Sequence, residues 1–384
     1  MFERDIFGEE HHQFRETVRR FFRKEVEPYV ARWETEGMFP RDIFRKAGAA
    51  GLLQVGLPAE YGGGGGDFLH QVIFQEEHGY STAGASVEGF LATDLSSYVI
   101  WRAGTDEQKR YWIPRYASGE VVAEVGITEP QSGSDVANVR TTAIRNGDHY
   151  VLNGTKIWLT NLSHCDLLIV VARTDPATKS AGGLSVLLVD ADSPGITRSR
   201  PIETAARGSG NVGQVFFENV RVPADRLLGG VEGRGLAQIM LVVNDARLTN
   251  AARWLASCET AYGLTLDFVR NREAFGQRVL DFQNTQFRMA DMKTEIAVGR
   301  AFLDKYLLKG LAGTITFDET AMVKLWISEL EGRVMDQCVQ LHGGMGFANE
   351  SPISKMWTSA RVHRIYLGTS EMQRLAIAKG IRAD

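Results

Sequence analysis

Between residues 14 and 30, apolar side chains return every third or fourth position, at Phe14, Val18, Phe21 or Phe22, and Val26. That spacing predicts one buried helical stripe, ended where Pro28 removes an amide and crowds the preceding turn. The pattern recurs over residues 43–53, 67–80 and 90–102, and Gly104-Thr-Asp-Glu-Gln-Lys109 reads as a turn into a further helix. Near Glu120 the period changes. Residues 121–127, 143–144, 149–152, 167–172, 184–189 and 213–217 are short β-branched or alternating runs. Turn residues divide them, with Asn146-Gly147 and Asn153-Gly154 the strongest hairpin signals. Closely spaced strands with no helix between them predict an antiparallel β unit. After Pro223 helical spacing returns over residues 236–271, 285–311, 318–341 and 370–381, long helices that predict an antiparallel four-helix bundle. The fold class is therefore α+β, with a helical domain over 1–118, a middle β domain over 119–228 and a C-terminal helical bundle over 229–384.

At 384 residues the chain exceeds a single core, which agrees with that division. With 44% hydrophobic and 23% charged residues it is composed to fold, not to stay disordered. The formal charge of −4 gives no electrostatic footprint for nucleic acid. No apolar run reaches the ~18 residues of a membrane span. The start, Met1-Phe-Glu-Arg-Asp-Ile6, lacks the basic-then-apolar order of a secretory signal, so a cytoplasmic location is expected. Cys165, Cys258 and Cys338 are scattered and odd in number, which fits a reducing compartment and no metal site. His11-His12 sits in a charged segment and reads as a solvated pair. The five glycines of residues 62–66 have no strand before them, so they read as a flexible loop between helices and not as a phosphate cradle.

Near the C-terminus, Gly368-Thr369-Ser370 stands between an apolar run and the helical pattern that starts at Glu371. Thr369 or Ser370 would cap that helix, and amides at such a start suit an anionic or accepting ligand. From these residues alone an ordinary capped helix is the plainer reading. Other stretches share a pattern with it: Ile127-Thr-Glu-Pro-Gln-Ser-Gly-Ser-Asp135, Asn153-Gly-Thr-Lys-Ile-Trp-Leu-Thr-Asn161, Arg272-Glu-Ala-Phe-Gly-Gln277, Gln340-Leu-His-Gly-Gly-Met-Gly346 and Ile365-Tyr-Leu-Gly-Thr-Ser370. In this order and at these intervals, over essentially the full length, the chain resembles the acyl-CoA dehydrogenase family.

The resemblance implies FAD as cofactor. It places Thr128 and Ser134 in the first cofactor segment, Trp158 stacked on the flavin and Thr160 near its N5. Arg272 would reach the pyrophosphate of a neighbouring subunit's FAD, with Phe275 and Gln283 nearby, since a guanidinium fork matches two phosphate oxygens. Gln340, Gly343 and Gly344 would admit the adenosine half, and Thr369 and Glu371 would complete the site. The residue types alone leave plainer roles open: Trp158 as a β-core aromatic, Thr160 as a turn residue, Arg272 as a solvated helix-end arginine and Gly343-Gly344 as a helix C-cap. Ser134 and Arg247 match positions that meet CoA, while Tyr366 and Leu367 would flank the thioester. A shared cofactor site implies a homodimer or homotetramer. An electron-transferring flavoprotein is the implied electron acceptor.

One departure bears on mechanism. The family removes the substrate's α-proton with a glutamate just before the Gly-Thr of the C-terminal motif, or on the first long bundle helix just before an arginine. These positions are Leu367 and Ala246 here. Leucine and alanine accept no proton, and a general base contributes ~10²–10⁴-fold. Asp245 and Asp94 are the substitute carboxylates to consider. The expected activity is α,β-desaturation of a CoA or carrier-protein thioester. The alternatives are a catalytically silent FAD-binding subunit and a variant reaction, β-elimination or enoyl reduction, that needs no such base.

Overall fold

The structure, a computed structural model, describes residues 4–382 except 88, 90–93, 207, 209 and 210; nothing of the Asp94 side chain is described. The N-terminal helices are α1 (Glu9–Phe21), α2 (Val30–Glu36), α3 (Asp42–Ala49), α4 (Phe68–Tyr80), α5 (Asp94–Ala103) and α6 (Asp106–Ala117). The helical stripe predicted over 14–30 does not stop at Pro28. A π-turn over Phe22–Val26 and a 3-10 turn over Glu27–Tyr29 carry it into α2, because Pro28 falls in the first positions of a new turn, where no amide is needed. The part of the predicted 90–102 helix that falls on 90–93 lies outside the described residues.

The glycine run is ordered, not flexible. Gly63, Gly64, Gly65 and Gly66 donate to the carbonyls of Pro58, Gln54, Leu57 and Val55 at 2.8–3.1 Å. At Gly63 a Cβ would lie 2.2 Å from the Leu57 carbonyl oxygen, so the close approach itself requires glycine. His11 is likewise not solvated. It is buried, with Nε2 3.0 Å from Asp67 Oδ1, because α1 lies on α4 and Asp67 caps α4; His12 does stay exposed.

The middle sheet holds β1 (Ala123–Gly126), β2 (Thr142–Asn146), β3 (His149–Thr160), β4 (Leu167–Arg173), β5 (Leu184–Asp190), β6 (Ile196–Arg198) and β7 (Val212–Pro223), ordered β1-β4-β2-β3-β7-β6 with β5 also on β4. Antiparallel pairing dominates as expected, but β1 runs parallel to β4, and Thr142 of β2 meets Arg173 of β4 in parallel. Asn146-Gly147 does turn the β2–β3 hairpin. Asn153-Gly154 does not turn the chain. It forms an irregularity within β3, where Gly154 has φ 141° and a Cβ would meet the Thr141 hydroxyl at 2.5 Å.

The C-terminal part contains α7 (Gly235–Asn271), a β8–β9 hairpin (Glu273–Ala274, Gln277–Arg278), α8 (Gln283–Leu311), α9 (Phe317–His342), α10 (Gly344–Phe347), α11 (Pro352–Ala360) and α12 (Ser370–Ile381). The short α10 and α11 were not evident from spacing. One apolar cluster joins α4, α7, α8, α9 and α11 through Leu69, Trp254, Met289, Leu330 and Met356. A second packs α5 and α6 on β1, β4 and β5, welding the helical and β parts together. Among the described residues no helix is long and apolar enough to cross a membrane.

Candidate active site

The Ile127–Glu129 segment is fixed from beneath. Lys156 of β3, fully buried, donates to the Ile127 carbonyl at 3.0 Å and to Glu129 Oε1 at 2.7 Å. Glu129 also accepts the amides of Arg140 and Thr141. Burial alone would raise the Glu129 carboxyl, but Lys156 and these donors outweigh it and hold it below its usual range. The Thr128 carbonyl accepts the Ile157 amide at 2.9 Å, so Thr128 stands beside the strand that carries Trp158 and Thr160.

Trp158 is not a core aromatic. Its φ is 67°, in the left-handed region, at a register shift between β3 and β7, and the indole is 55% exposed. The tryptophan is thus held out to solvent on strained backbone. Thr160 is half-buried, while Ser134 is exposed.

Leu367 stands at the centre of the C-terminal motif with φ 54°. Its carbonyl accepts Arg247 Nε at 3.4 Å and Gln373 Nε2 at 3.1 Å. The next carbonyl, of Gly368, accepts Lys324 Nζ at 2.7 Å and Gln373 Nε2 at 2.8 Å. With both carbonyls tied back, the Leu367 N–H is left without an acceptor among the described residues. Thr369 caps α12 by accepting the Met372 amide at 3.3 Å. An amide at that helix start and then Thr369 hold the exposed Glu371 carboxyl below its usual range.

Arg247 was expected to meet CoA, yet it is 5% exposed, lies over the Phe317 ring at 4.4 Å and has Nη1 buried without a partner. Burial pushes its guanidinium down to about 10. Lys324, Gln373 and the buried geometry of Arg247 gave no signal in sequence, because their partners stand 5 to 120 residues away along the chain.

Neither family base position carries a carboxylate: they are Ala246 and Leu367. Ala246, half-buried on α7, accepts the Asn250 amide group at its backbone oxygen, 2.8 Å. Asp245 turns towards α5, with Oδ2 3.5 Å from Arg102 Nη2, as the ~100° step around a helix requires. Burial raises its carboxyl, and Arg102 only partly opposes this. Asp94 begins α5, but its side chain lies outside the described residues.

The remaining motif residues gather elsewhere. Arg272, Phe275, Gln283, Gln340, Gly343 and Gly344 are all exposed, Phe275 at 96% and φ 53°. The Arg272 guanidinium has no hydrogen bond or ion pair among the described residues. An uncovered indole, an unpaired arginine and an outward phenylalanine fit FAD: one face for the ring, a fork for phosphate and an aromatic lid. Gly343 ends α9 as its C-cap.

The sequence matches three family descriptions in order: acyl-CoA dehydrogenase N-terminal domain over residues 8–120, middle domain over 125–220 and C-terminal domain over 233–382. It is 39% identical to the mitochondrial long-chain specific acyl-CoA dehydrogenase of Rattus norvegicus, covering 99% of this chain and 88% of that one. The crystal structure of acyl-CoA dehydrogenase from Geobacillus kaustophilus superposes with a TM-score of 0.95 at 38% identity, covering 99% and 100% of the two chains. A glutaryl-CoA dehydrogenase from Mycobacterium smegmatis in complex with FADH2 superposes at 0.89 with 27% identity, covering 98% and 96%. The chain belongs to the acyl-CoA dehydrogenase family.

Proposed function

We propose that this chain oxidises the Cα–Cβ bond of an acyl thioester, CoA-linked or carrier-linked, with FAD, and does so without a glutamate at either family base position. The observation that carries the reading is the Leu367–Gly368 turn. Two buried cations and Gln373 hold its carbonyls, so the Leu367 N–H is available to a thioester carbonyl whatever the side chain. Such a fixed donor stabilises the enolate-like charge that develops as the α-hydrogen loosens.

Thr128, Trp158 and Thr160 would hold the flavin ring, and Arg272, Phe275, Gln283, Gln340, Gly343, Gly344, Thr369 and Glu371 the rest of the cofactor. Bound FAD supplies the hydride acceptor. Trp158 keeps water from that face, and Ser134 and Tyr366 border the path for the thioester. Arg247, buried behind Leu367, acts on the loop and not on CoA. Because Ala246 and Leu367 accept no proton, α-proton loss lacks the ~10²–10⁴-fold that a positioned base contributes.

A second reading rests on the same two apolar positions: an FAD-binding subunit that is silent alone, or a reaction that needs no α-proton base. The exposed face around Arg272 and Phe275 supports a homodimer or homotetramer in which subunits share the cofactor. An electron-transferring flavoprotein is the natural acceptor for electrons leaving such a site. The three cysteines, all buried and free, suit a cytoplasmic setting.

The test is anaerobic mixing of flavin-loaded protein with a panel of acyl-CoAs while the flavin absorbance is followed. The reading expects bound FAD and slow bleaching, unchanged in Asp245→Asn because that carboxylate faces Arg102. Protein that retains no FAD overturns the assignment. Tight FAD with no bleaching by any thioester selects the second reading.

A further inference from the structure

The face of α7 that carries Ala246 continues at Asn250 and Arg253, four and seven residues on, which the helical period sets on one side. These side chains form one hydrogen-bonded wall with Tyr366. Arg253 Nη2 donates to Asn250 Oδ1 at 2.9 Å and to the Tyr366 hydroxyl at 2.7 Å. The Tyr366 hydroxyl lies 3.3 Å from the same Asn250 oxygen, and Asn250 is anchored to the Ala246 carbonyl.

The acyl-thioester reading gives the wall a place relative to the reacting carbons. Tyr366 immediately precedes Leu367, whose N–H takes the thioester carbonyl in the reading above, and in that same reading Ala246 stands where the family's base would meet the α-carbon. Asn250 then lies about 6 Å further along α7, and Arg253 about 10.5 Å. Asn250 and Tyr366 are half-exposed, whereas Arg253 beneath them is 7% exposed. The wall is rigid: Trp254 and His363 pack on the Tyr366 ring at 6.0 and 5.6 Å, and Glu331 Oε2 holds His363 Nδ1 at 2.6 Å. His78, Glu331 and His363 border the same small internal cavity as Arg253, so polar groups continue behind it.

We propose that Asn250, Arg253 and Tyr366 close the distal end of the acyl pocket and select a short acyl group with a hydrogen-bonding terminus over a long apolar chain. The proposal rests on the acyl-thioester reading and deepens it by naming the substrate class. A long alkyl chain would have to lie against an amide, a phenol and a guanidinium, displacing water without replacing its hydrogen bonds. A terminal hydroxyl or carbonyl can replace them.

The test is equilibrium binding to the oxidised, flavin-loaded protein, read from the flavin spectrum and by calorimetry, so that turnover is not needed. An apolar pocket adds roughly fourfold in affinity per methylene. For the wild type, the gain from butyryl-CoA to decanoyl-CoA should stay below about tenfold, and 5-hydroxypentanoyl-CoA should bind at least tenfold tighter than its isostere hexanoyl-CoA. Asn250→Leu, at a half-exposed position, should abolish that preference and restore the gain per methylene. Arg253→Met should do the same if it folds, and Asn250→Leu decides the matter if it does not. Decanoyl-CoA binding more than a hundredfold tighter than butyryl-CoA, or an Asn250→Leu profile like the wild type, overturns the proposal. If even butyryl-CoA fails to bind while FAD is held, the thioester reading itself fails and takes the proposal with it.

Discussion

Lys324→Met tests whether the Leu367 loop is held by buried cations whose charge the nearby Glu329 and Glu371 offset only in part. Lys324 is 0% exposed, and its ammonium donates to the Gly368 carbonyl at 2.7 Å. Burial, and then the charge of Arg247, push its pKa from 10.5 down to about 8. The folded protein therefore releases this proton near pH 8, while the unfolded chain keeps it until about 10.5. Between those values the unfolded state binds more protons, so this residue makes stability rise with pH across that window. A drop of that size corresponds to roughly 3 kcal/mol. In a chain of this length that is a few degrees of Tm. Methionine keeps much of the length and removes the charge, while Gln373 still donates to the Gly368 carbonyl. The assay is thermal unfolding of wild type and variant at fixed protein and FAD concentration, read by circular dichroism and flavin fluorescence at steps from pH 7 to pH 10. The Tm of the variant minus that of the wild type should fall by a few degrees over that range. A difference that does not change with pH would mean that the carboxylates near Lys324 hold its proton in place, and the picture of a cationic support disfavoured by burial would be wrong.

Two further substitutions probe the cofactor residues. Lys156→Met leaves Glu129 buried with neutral donors but no cation, the Arg140 and Thr141 amides and the Gln131 side-chain amide, so it should cost about 3–5 kcal/mol and release FAD as the Thr128 segment loosens, checked by Tm and flavin content. Arg272→Ala removes an exposed, unpaired guanidinium, so the fold should survive while FAD affinity and oligomer size fall together, checked by flavin titration and light scattering; no change in either would count against a shared cofactor site.

Local signals in the sequence match the structure where neighbouring residues alone decide it. Thr369 caps a helix that runs over Ser370–Ile381, as its spacing indicates, and Asn146-Gly147 turns a hairpin. The same kind of signal misled at Asn153-Gly154, because whether such a pair turns or bulges depends on the strand opposite, here β7, with the Asn219 amide donating to Asn153 Oδ1. His11 looked solvated because its partner Asp67 lies 56 residues away. The parallel β1–β4 pairing and the anchoring of Gly368 by Lys324, 44 residues apart, are long-range for the same reason. The candidate site divides along this line. The missing carboxylates at Ala246 and Leu367 can be seen in the sequence, as can the exposed motif residues. The reason the Leu367 amide stays available, and the polar wall along α7, need the fold.

The central claim is that the chain keeps the support for a thioester and for FAD but lacks the base. Its most direct test is anaerobic stopped-flow bleaching of bound FAD by saturating short acyl-CoA, comparing wild type with Ala246→Glu and Leu367→Glu. Ala246 lies on an unchanged helix beside Arg247, so a longer side chain there extends from a fixed backbone. Leu367 instead sits at a strained φ of 54° within the bonded turn. The account predicts slow bleaching in the wild type, a gain of at least ~10²-fold in Ala246→Glu, and a smaller gain in Leu367→Glu. Wild-type bleaching at a rate that Ala246→Glu does not improve would show that a base is already in place, and would contradict the account.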